Sequence, residues 1–136
     1  PMDAIAATLK PIPATIVALQ RAPARGEIDA FAEAVGREVH DLTHLNDDLE
    51  AMLALAGRLD DYICVSNTNV HLRTSRGGPC RVLVPHPPDY RWMSRGPETP
   101  WFPGTRVYRE TASDGWETAL DDLARDMHEA FPPGAA

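Results

Sequence analysis

The segment Asp60-Asp61-Tyr62-Ile63-Cys64-Val65-Ser66-Asn67-Thr68-Asn69-Val70-His71-Leu72 decides the fold, because it joins a short apolar run directly to a helical pattern. Residues 62–65 are typical of a buried strand, and a helix is predicted over Thr68–Ser75. A strand that passes straight into a helix is the repeating unit of parallel sheets. Ligands bind outside the carboxyl ends of such strands, so residues 66–69 are the first candidate site.

The same alternation of strands and helices continues on both sides of this segment. Further strands are predicted at 15–19, 38–42, 81–84 and 105–109, and further helices at 3–10, 27–35, 47–56 and 114–130. Consecutive parallel strands joined through helices form right-handed crossovers. The predicted fold class is therefore α/β, a Rossmann-like three-layer sandwich with a mainly parallel five-stranded sheet.

The length of 136 residues is that of one domain. We predict a single Rossmann-like domain over 1–136, with a short N-terminal helix and lead-in at 1–13 and a tail at 131–136. Residues 85–104 form a long loop rich in proline and tryptophan. A long aromatic loop inside a compact domain is typical of a functional segment. The first residues, Pro1-Met2, indicate an engineered boundary or the cut end of a longer protein.

The charge distribution combines an acidic chain with a basic middle. The net charge of −7 argues against nucleic acid as a partner, because binding phosphates along a backbone requires clustered Lys and Arg. Seven of the arginines nevertheless fall between positions 73 and 109: Arg73, Arg76, Arg81, Arg91, Arg95, Arg106 and Arg109. Two interpretations stay open, solvated arginines balanced by nearby acids or a binding site for an anion.

The cysteines and the apolar runs bear on the cellular compartment. Cys64 and Cys80 have neither metal-binding spacing nor a disulfide framework, so we predict two buried thiols in adjacent strands, which fits a reducing compartment. No run approaches the ~20 apolar residues of a membrane helix, and no basic-then-apolar leader is present. A cytoplasmic protein without a membrane span is the expectation.

The polar junction after the third predicted strand is the strongest candidate binding site. Ser66, Asn67, Thr68 and Asn69 stand where the free backbone N–H groups of a helix begin, and those groups bind phosphate. The alternative is that one of these side chains only caps the helix. His71 lies one turn inside the helix, where it is either structural or able to reach a diphosphate.

Weaker candidates follow two other strands. Gln20 and Arg21 come after the first strand, where they are either ordinary polar loop residues or ligands of a nucleotide, and His86 comes after the fourth. A metal site is not predicted, because His40 and His44 have no third ligand at a suitable spacing. The sequence contains no nucleophile elbow, P-loop or glycine-rich dinucleotide motif.

The aromatic residues of the long loop give two predictions about exposure. Trp101 is predicted to be buried, because Pro100 and Pro103 fix its approach, and Trp92 to be partly exposed near the candidate site. A large apolar patch on this loop would mark a surface for a partner. The alternative is that these aromatic side chains pack onto the domain and are purely structural.

Several motifs occur in the same order in a bacterial protein family. They are Leu19-Gln20, the strand and turn at 60–72, Pro85-His86-Pro87-Pro88-Asp89-Tyr90-Arg91-Trp92, Pro100-Trp101-Phe102-Pro103 and Arg106-Val107-Tyr108-Arg109. On these motifs the chain resembles the C-terminal half of the glycosyltransferase-like domain found behind tetratricopeptide repeats, a group related to heptosyltransferases and, more distantly, to O-GlcNAc transferases. The resemblance covers about residues 15–127.

The resemblance implies the GT-B arrangement, in which two Rossmann-like domains face each other and the C-terminal one holds the nucleotide-sugar donor. By this resemblance Asn67, Thr68 and His71 surround the donor diphosphate, and Gln20 lies near the nucleotide. Most relatives have an aspartate followed by threonine where this chain has Ser66 and Asn67. The missing carboxylate bears on donor choice and on activity. Relatives also have small apolar residues at 73–78, where this chain has two arginines that fit an anionic ligand or a partner surface.

The leading hypothesis is the nucleotide-diphosphate-sugar binding half of a two-domain transferase that inverts the sugar carbon. The donor is its substrate and no cofactor is required. An N-terminal Rossmann-like or repeat domain would supply the acceptor site and the general base, so this chain alone is expected to transfer no sugar. The alternative is a non-catalytic protein-interaction module on a degenerate transferase domain. A flavodoxin-like nucleotide binder is a third and weaker hypothesis, because no stacking site for a flavin is evident.

Overall fold

A computed structural model describes residues 2–132, so the last four residues of the predicted tail lie outside the described part. The chain divides into two structural units. The first unit comprises the chain up to Asp48 together with the segment from Leu120 onward, and the second unit comprises Leu49–Ala119.

The first unit contains a two-stranded parallel sheet. Its elements are α1 (Met2–Leu9), β1 (Ile16–Ala18), α2 (Glu27–Val35), β2 (Val39–Asp41), a 3₁₀ turn (Thr43–Asp47) and most of α5 (Glu117–Ala130). Ile16 pairs with Val39 across the two strands. Helix α2 ends at Gly36, which takes the left-handed conformation (φ 78°) and donates its N–H to the carbonyl of Ala32, as expected of a glycine at a helix C-terminus.

A small apolar core and one guanidinium hold the first unit together. Ala6, Ile16 and Val35 form the buried cluster. The guanidinium of Arg37 donates to the carbonyls of Leu9, Lys10 and Ala14, so it satisfies carbonyl groups at and after the end of α1. The ring of His128 in α5 lies 3.0 Å from the carbonyl oxygen of Thr8.

The second unit contains a three-stranded parallel sheet in the order β3-β4-β5. Its elements are α3 (Leu49–Ala56), β3 (Ile63–Val65), α4 (Thr68–Ser75), β4 (Cys80–Val84), a 3₁₀ turn (Tyr90–Trp92), β5 (Thr105–Arg109) and the start of α5. Val65 pairs with Leu83, and Leu83 with Tyr108. One buried cluster gathers alternate strand residues with one residue of α4 and one of the long loop: Cys80, Val82, Val84, Val107, Val70 and Trp92.

Helix α4 is anchored to its unit through polar groups. Its buried residues are Asn69, Val70 and Arg73, which share one face at helical spacing. The Arg73 side chain is 2% exposed and donates to three carbonyls, those of Ala56, Asp60 and Pro79. Ala56 ends α3, so a cation there also suits the helix dipole. Arg73 is therefore internal, and its interpretation as a ligand for an anion or a partner is wrong.

Gly78 is required beside this buried guanidinium. A Cβ atom at position 78 would lie 2.1 Å from Cζ of Arg73, which is closer than any packing allows. A glycine in the turn before β4 therefore leaves room for the guanidinium of Arg73, which reaches this turn from α4.

The five predicted strands are all present, and the α/β class with parallel pairing is confirmed. The single five-stranded sheet is wrong, since the residues described here form sheets of two and three strands. β1, β2 and β3 are three residues long and offer few ladder hydrogen bonds. The alternation of strands and helices along the sequence specifies that neighbouring strands run parallel. It does not specify whether β2 pairs with β3 to make one continuous sheet.

Candidate functional site

The candidate site begins where β3 passes into α4 in the second unit. Asn67 is the N-cap of α4, with extended backbone, and its side-chain oxygen accepts a hydrogen bond of 3.3 Å from the N–H of Val70. The capping interpretation is therefore confirmed for Asn67. The cap satisfies one of the four N–H groups that a helix leaves without an intrahelical partner, and the N–H of Thr68 at the first helical position is another of the four.

The two asparagines of the turn also interact with the half-buried Tyr62. The hydroxyl of Tyr62 forms hydrogen bonds with the side chains of Asn69 and Asn67. Burial raises the pKa of Tyr62, and these two hydrogen bonds only partly offset that rise. Of the two amide side chains, that of Asn69 is buried and that of Asn67 is exposed, so the inward-facing partner of the phenol is Asn69.

Ser66 is bound to the long loop. The indole Nε1 of Trp92 donates a hydrogen bond of 2.9 Å to the hydroxyl oxygen of Ser66. Trp92 is 1% exposed, so the prediction that it is partly exposed is wrong. Asp89 accepts from the N–H of Arg91 at 3.0 Å and thereby caps the 3₁₀ turn that directs Trp92 inward, against Phe102 at 5.1 Å between ring centroids.

Of the predicted diphosphate set, Asn69 is buried and the other four residues are exposed; among these, Ser66 is bonded to Trp92 and Asn67 caps the helix, which leaves Thr68 and His71. The imidazole of His71 packs edge-to-face against Phe102, with ring centroids 4.9 Å apart and an interplanar angle of 78°. This contact fixes the ring while leaving it accessible. The face that α4 offers to a ligand therefore consists of backbone N–H groups at its start, the Thr68 hydroxyl and the His71 imidazole.

Two large aromatic side chains of the long loop point into solvent. Tyr90 is 71% exposed and Trp101 is 58% exposed, so the prediction that Trp101 is buried is wrong. Their rings stand edge-to-face with centroids 5.9 Å apart. The flanking prolines fix the backbone, but the neighbouring Phe102 takes the inward position, packing against the buried cluster.

The loop that carries these aromatic residues is pinned by hydrogen bonds. The guanidinium of Arg109, at the end of β5, donates to the carbonyls of Trp92, Met93 and Gly96. Burial lowers the pKa of Arg109. The buried Thr99 donates its hydroxyl to the Arg91 carbonyl and accepts from the N–H of Trp101. The exposed aromatic pair is thus displayed by an ordered backbone.

The basic middle of the chain is largely used for internal contacts. Arg81 pairs with Asp61 at 2.7 Å, and Arg91 pairs with Asp89 at 2.9 Å. The hydrogen bonds from Arg91 lower the pKa of Asp89. Arg81 and Arg91 are thus balanced by nearby acids, as one of the two interpretations has it, whereas Arg73 and Arg109 are held by backbone carbonyls. Fewer cations remain for an anionic ligand.

The weaker candidates are divided between the two units. His86 is exposed after β4, and its backbone N–H donates to Glu110 at 2.9 Å. Gln20 and Arg21 belong to the first unit and are exposed. Asn46 donates to the carbonyl of Leu19 at 3.1 Å and so holds the start of that loop.

Two histidines of the first unit, His40 and His44, are exposed. His40 lies 3.5 Å from Glu38, and His44 is exposed in the 3₁₀ turn. Within residues 2–132, no group of three or more His, Cys, Asp or Glu side chains is placed to hold a metal ion.

Sequence reasoning missed three residues that shape the site: Tyr62, Thr99 and Arg109. Tyr62 was assigned to a strand and Arg109 to a cluster of charges, with no partner for either. The sequence signal that could have found Tyr62 and Arg109 is their position at strand ends, next to the segments that their side chains hold in place. Thr99 offered none, since a threonine in a loop is as often exposed as buried.

Comparison of the chain with protein families, with curated proteins and with solved structures found no match. The helices in the described part of the chain include none that is both long and apolar enough to cross a membrane.

Proposed function

We propose that the second unit binds a nucleoside diphosphate group at the start of α4, and that the chain is the nucleotide-sugar-binding half of a two-domain glycosyltransferase-like protein. The observation that carries the proposal is the exposed start of an α-helix that follows a parallel strand directly, with Thr68 and His71 accessible beside it. Backbone N–H groups and the positive end of the helix dipole suit a phosphate group.

The inward-facing side chains support a site whose shape is fixed before a ligand arrives. Ser66 is held by Trp92, Asn67 caps the helix, and Asn69 contacts Tyr62. The backbone N–H groups at the start of α4 therefore need no reorganisation to meet an anion, which lowers the entropic cost of binding. Diphosphate recognition in this proposal rests on the backbone, Thr68 and His71, and requires neither a metal nor an arginine.

The aromatic pair supplies a second element that a nucleotide needs. Tyr90 and Trp101 lie in the same loop as Trp92 and Phe102, which contact Ser66 and His71. Stacking of a base on an exposed aromatic face contributes about 1–3 kcal/mol. A ligand with a flat ring and two phosphates matches a surface of exposed aromatic rings beside a helix N-terminus.

A second candidate function is a protein-interaction module, and the same aromatic pair favours it. Tyr90, Met93 and Trp101 are large apolar side chains that remain exposed on a pinned loop. Such residues mark interaction surfaces in proteins. In that case the turn at α4 is structural, and the absence of a carboxylate at position 66 reflects loss of catalysis.

Matched charge substitutions on one helix test the leading proposal. Thr68→Glu places a carboxylate at the proposed phosphate position, and Ser75→Glu places the same charge on the exposed far end of α4, roughly 10 Å away. Ligand-detected NMR titration with UDP and ADP should show weak binding to the parent chain, at least about tenfold weaker binding to Thr68→Glu, and about unchanged binding to Ser75→Glu. Equal losses in both variants, or no binding at millimolar nucleotide, contradict the proposal.

Trp101→Ala separates the two functions in the same titration. Weaker binding of UDP assigns the aromatic pair to the base. Unchanged binding of UDP assigns the pair to another partner and supports the interaction module for this loop.

A further inference from the structure

The two cysteines of the chain meet on one face of the second unit's sheet. Cys64 is the middle residue of β3, and Cys80 is the first residue of β4. Cys64 pairs with Val82, so Cys80 lies two residues earlier on β4 and on the same face. The two Sγ atoms are 3.8 Å apart, and both thiols are free.

The surroundings of the two thiols are unequal. Cys80 is buried in the cluster with Val70 and Val82, whereas Cys64 is half-buried at the edge of that cluster. Burial raises the pKa of the Cys64 thiol, so at neutral pH Cys64 rests as a thiol and not as a thiolate. Slow but selective reaction through Cys64 is expected, because Cys64 is half-buried whereas Cys80 is buried.

The two sulfurs are close, but the cysteines are diagonal neighbours on adjacent strands, with Cα atoms expected about 8 Å apart, so closing a disulfide also requires the backbone to move. A disulfide has an S–S bond of about 2.05 Å, so the sulfurs need to approach by about 1.8 Å from their present separation. Cys80 follows the Gly77-Gly78-Pro79 turn, and Cys64 precedes the exposed Val65 at the end of β3. Both residues are thus near the ends of short strands, where a shift of this size is easiest to accommodate.

We propose that Cys64 and Cys80 are a redox modification site that closes to an intramolecular disulfide. With glutathione disulfide as oxidant, the Cys64 thiolate attacks one glutathione sulfur, an S–S bond breaks, and one glutathione leaves as thiolate and takes up a proton. The Cys80 thiolate then attacks the Cys64 sulfur and releases the second glutathione. The cysteine pair loses two electrons and two protons, and one glutathione disulfide becomes two glutathione molecules.

Closure acts on the strand end that leads into α4. Cys64 stands two residues before Ser66, and Val70 of α4 packs in the same cluster as both cysteines. Drawing Cys64 towards the start of β4 therefore shifts the backbone that enters the 66–69 turn. β5 lies on the other side of β4 and contains no cysteine, so it serves as the internal reference.

The test uses the folded chain in glutathione redox buffers, followed by alkylation of remaining thiols and mass spectrometry of the intact chain and its peptides. Excess glutathione disulfide should reduce the number of alkylated thiols from two to none, with Cys64 and Cys80 joined in one peptide pair and the chain monomeric. Amide NMR spectra of the two forms should differ most at 64–67 and least at Thr105–Arg109.

Two single variants identify the path. Cys80→Ser should accumulate glutathione on Cys64, because the second step is blocked, and Cys64→Ser should remain largely unmodified, because Cys80 is buried. The thiol count and the amide spectra of the parent chain test the proposal even where a variant fails to fold. Three results with the folded parent chain overturn the proposal. The first is that it keeps both thiols while the denatured chain is oxidised, the second that it accumulates stable glutathione adducts, and the third that it forms intermolecular dimers. An oxidised form with unchanged amides at 64–67 overturns the coupling to the turn.

Discussion

Two neighbouring segments of the second unit orient their side chains in opposite ways. In the turn at 66–69, Ser66 and Asn69 use their polar groups inside the unit, through Trp92 and Tyr62. In the long loop at 85–104, Tyr90 and Trp101 hold their rings in solvent. Polar groups take internal partners here because the buried indole N–H of Trp92 and the Tyr62 hydroxyl need them, whereas the Tyr90 and Trp101 rings lie in solvent.

The largest expected effect is the difference in the free energy of unfolding between alanine variants of the two loop tryptophans. Trp92→Ala removes a fully buried ring and the hydrogen bond to Ser66, and we expect the free energy of unfolding to fall by about 3–5 kcal/mol. Trp101→Ala removes an exposed ring, and the expected change is within about 0.5 kcal/mol. Urea unfolding of the two variants checks both values. Similar losses in the two variants would mean that Trp101 packs against the unit.

A smaller effect is expected for the anchor of the loop. Arg109→Met removes the donors to the carbonyls of Trp92, Met93 and Gly96 while keeping an aliphatic side chain. We expect a loss of about 1–2 kcal/mol in the free energy of unfolding, because the carbonyls regain water in the part-exposed loop. Hydrogen exchange should accelerate at 92–99 and stay unchanged in α4. Acceleration spread evenly over the whole unit would show that Arg109 supports the core and not the loop alone.

The smallest effect concerns the cap of α4. Asn67→Ala leaves the N–H of Val70 without its side-chain acceptor, and a cost of about 1 kcal/mol is typical of a lost N-cap. Asn67→Asp retains the acceptor and adds a charge that suits the helix dipole, so thermal unfolding of this variant should match or exceed that of the parent chain. A destabilised Asp variant would indicate that the amide group's contact with Tyr62 is the more important one.

The individual helices and strands were predictable from the sequence, whereas the pairing of strands into sheets was not. α2, α4 and β5 lie within the predicted bounds, because the apolar spacing, the Gly36 stop and the polar start at 67–68 act over a few residues. The joining of strands into sheets depends on pairings between distant segments, which periodicity does not encode. The alternation therefore gave five strands but not their division into two sheets.

The candidate site was predictable in position but not in detail. The polar run at 66–69 marks the strand-to-helix junction, and any of its residues is able to cap a helix. Which side chain caps depends on Tyr62, Trp92 and Arg109, whose directions follow from tertiary packing. The predicted exposures of Trp92 and Trp101 are the opposite of those observed, again because tertiary packing decides them. The 3₁₀ turn at Tyr90–Trp92 and the inward position of Phe102 have no signature in composition.

The central claim is that the start of α4 binds a nucleoside diphosphate, and amide-resolved NMR of the folded chain tests it most directly. UDP added to millimolar concentration should shift the amides of Thr68, Asn69 and His71 more than any others, with saturating dependence on ligand. Shifts that are largest in the first unit, or an unchanged spectrum at the same concentration, would contradict the claim.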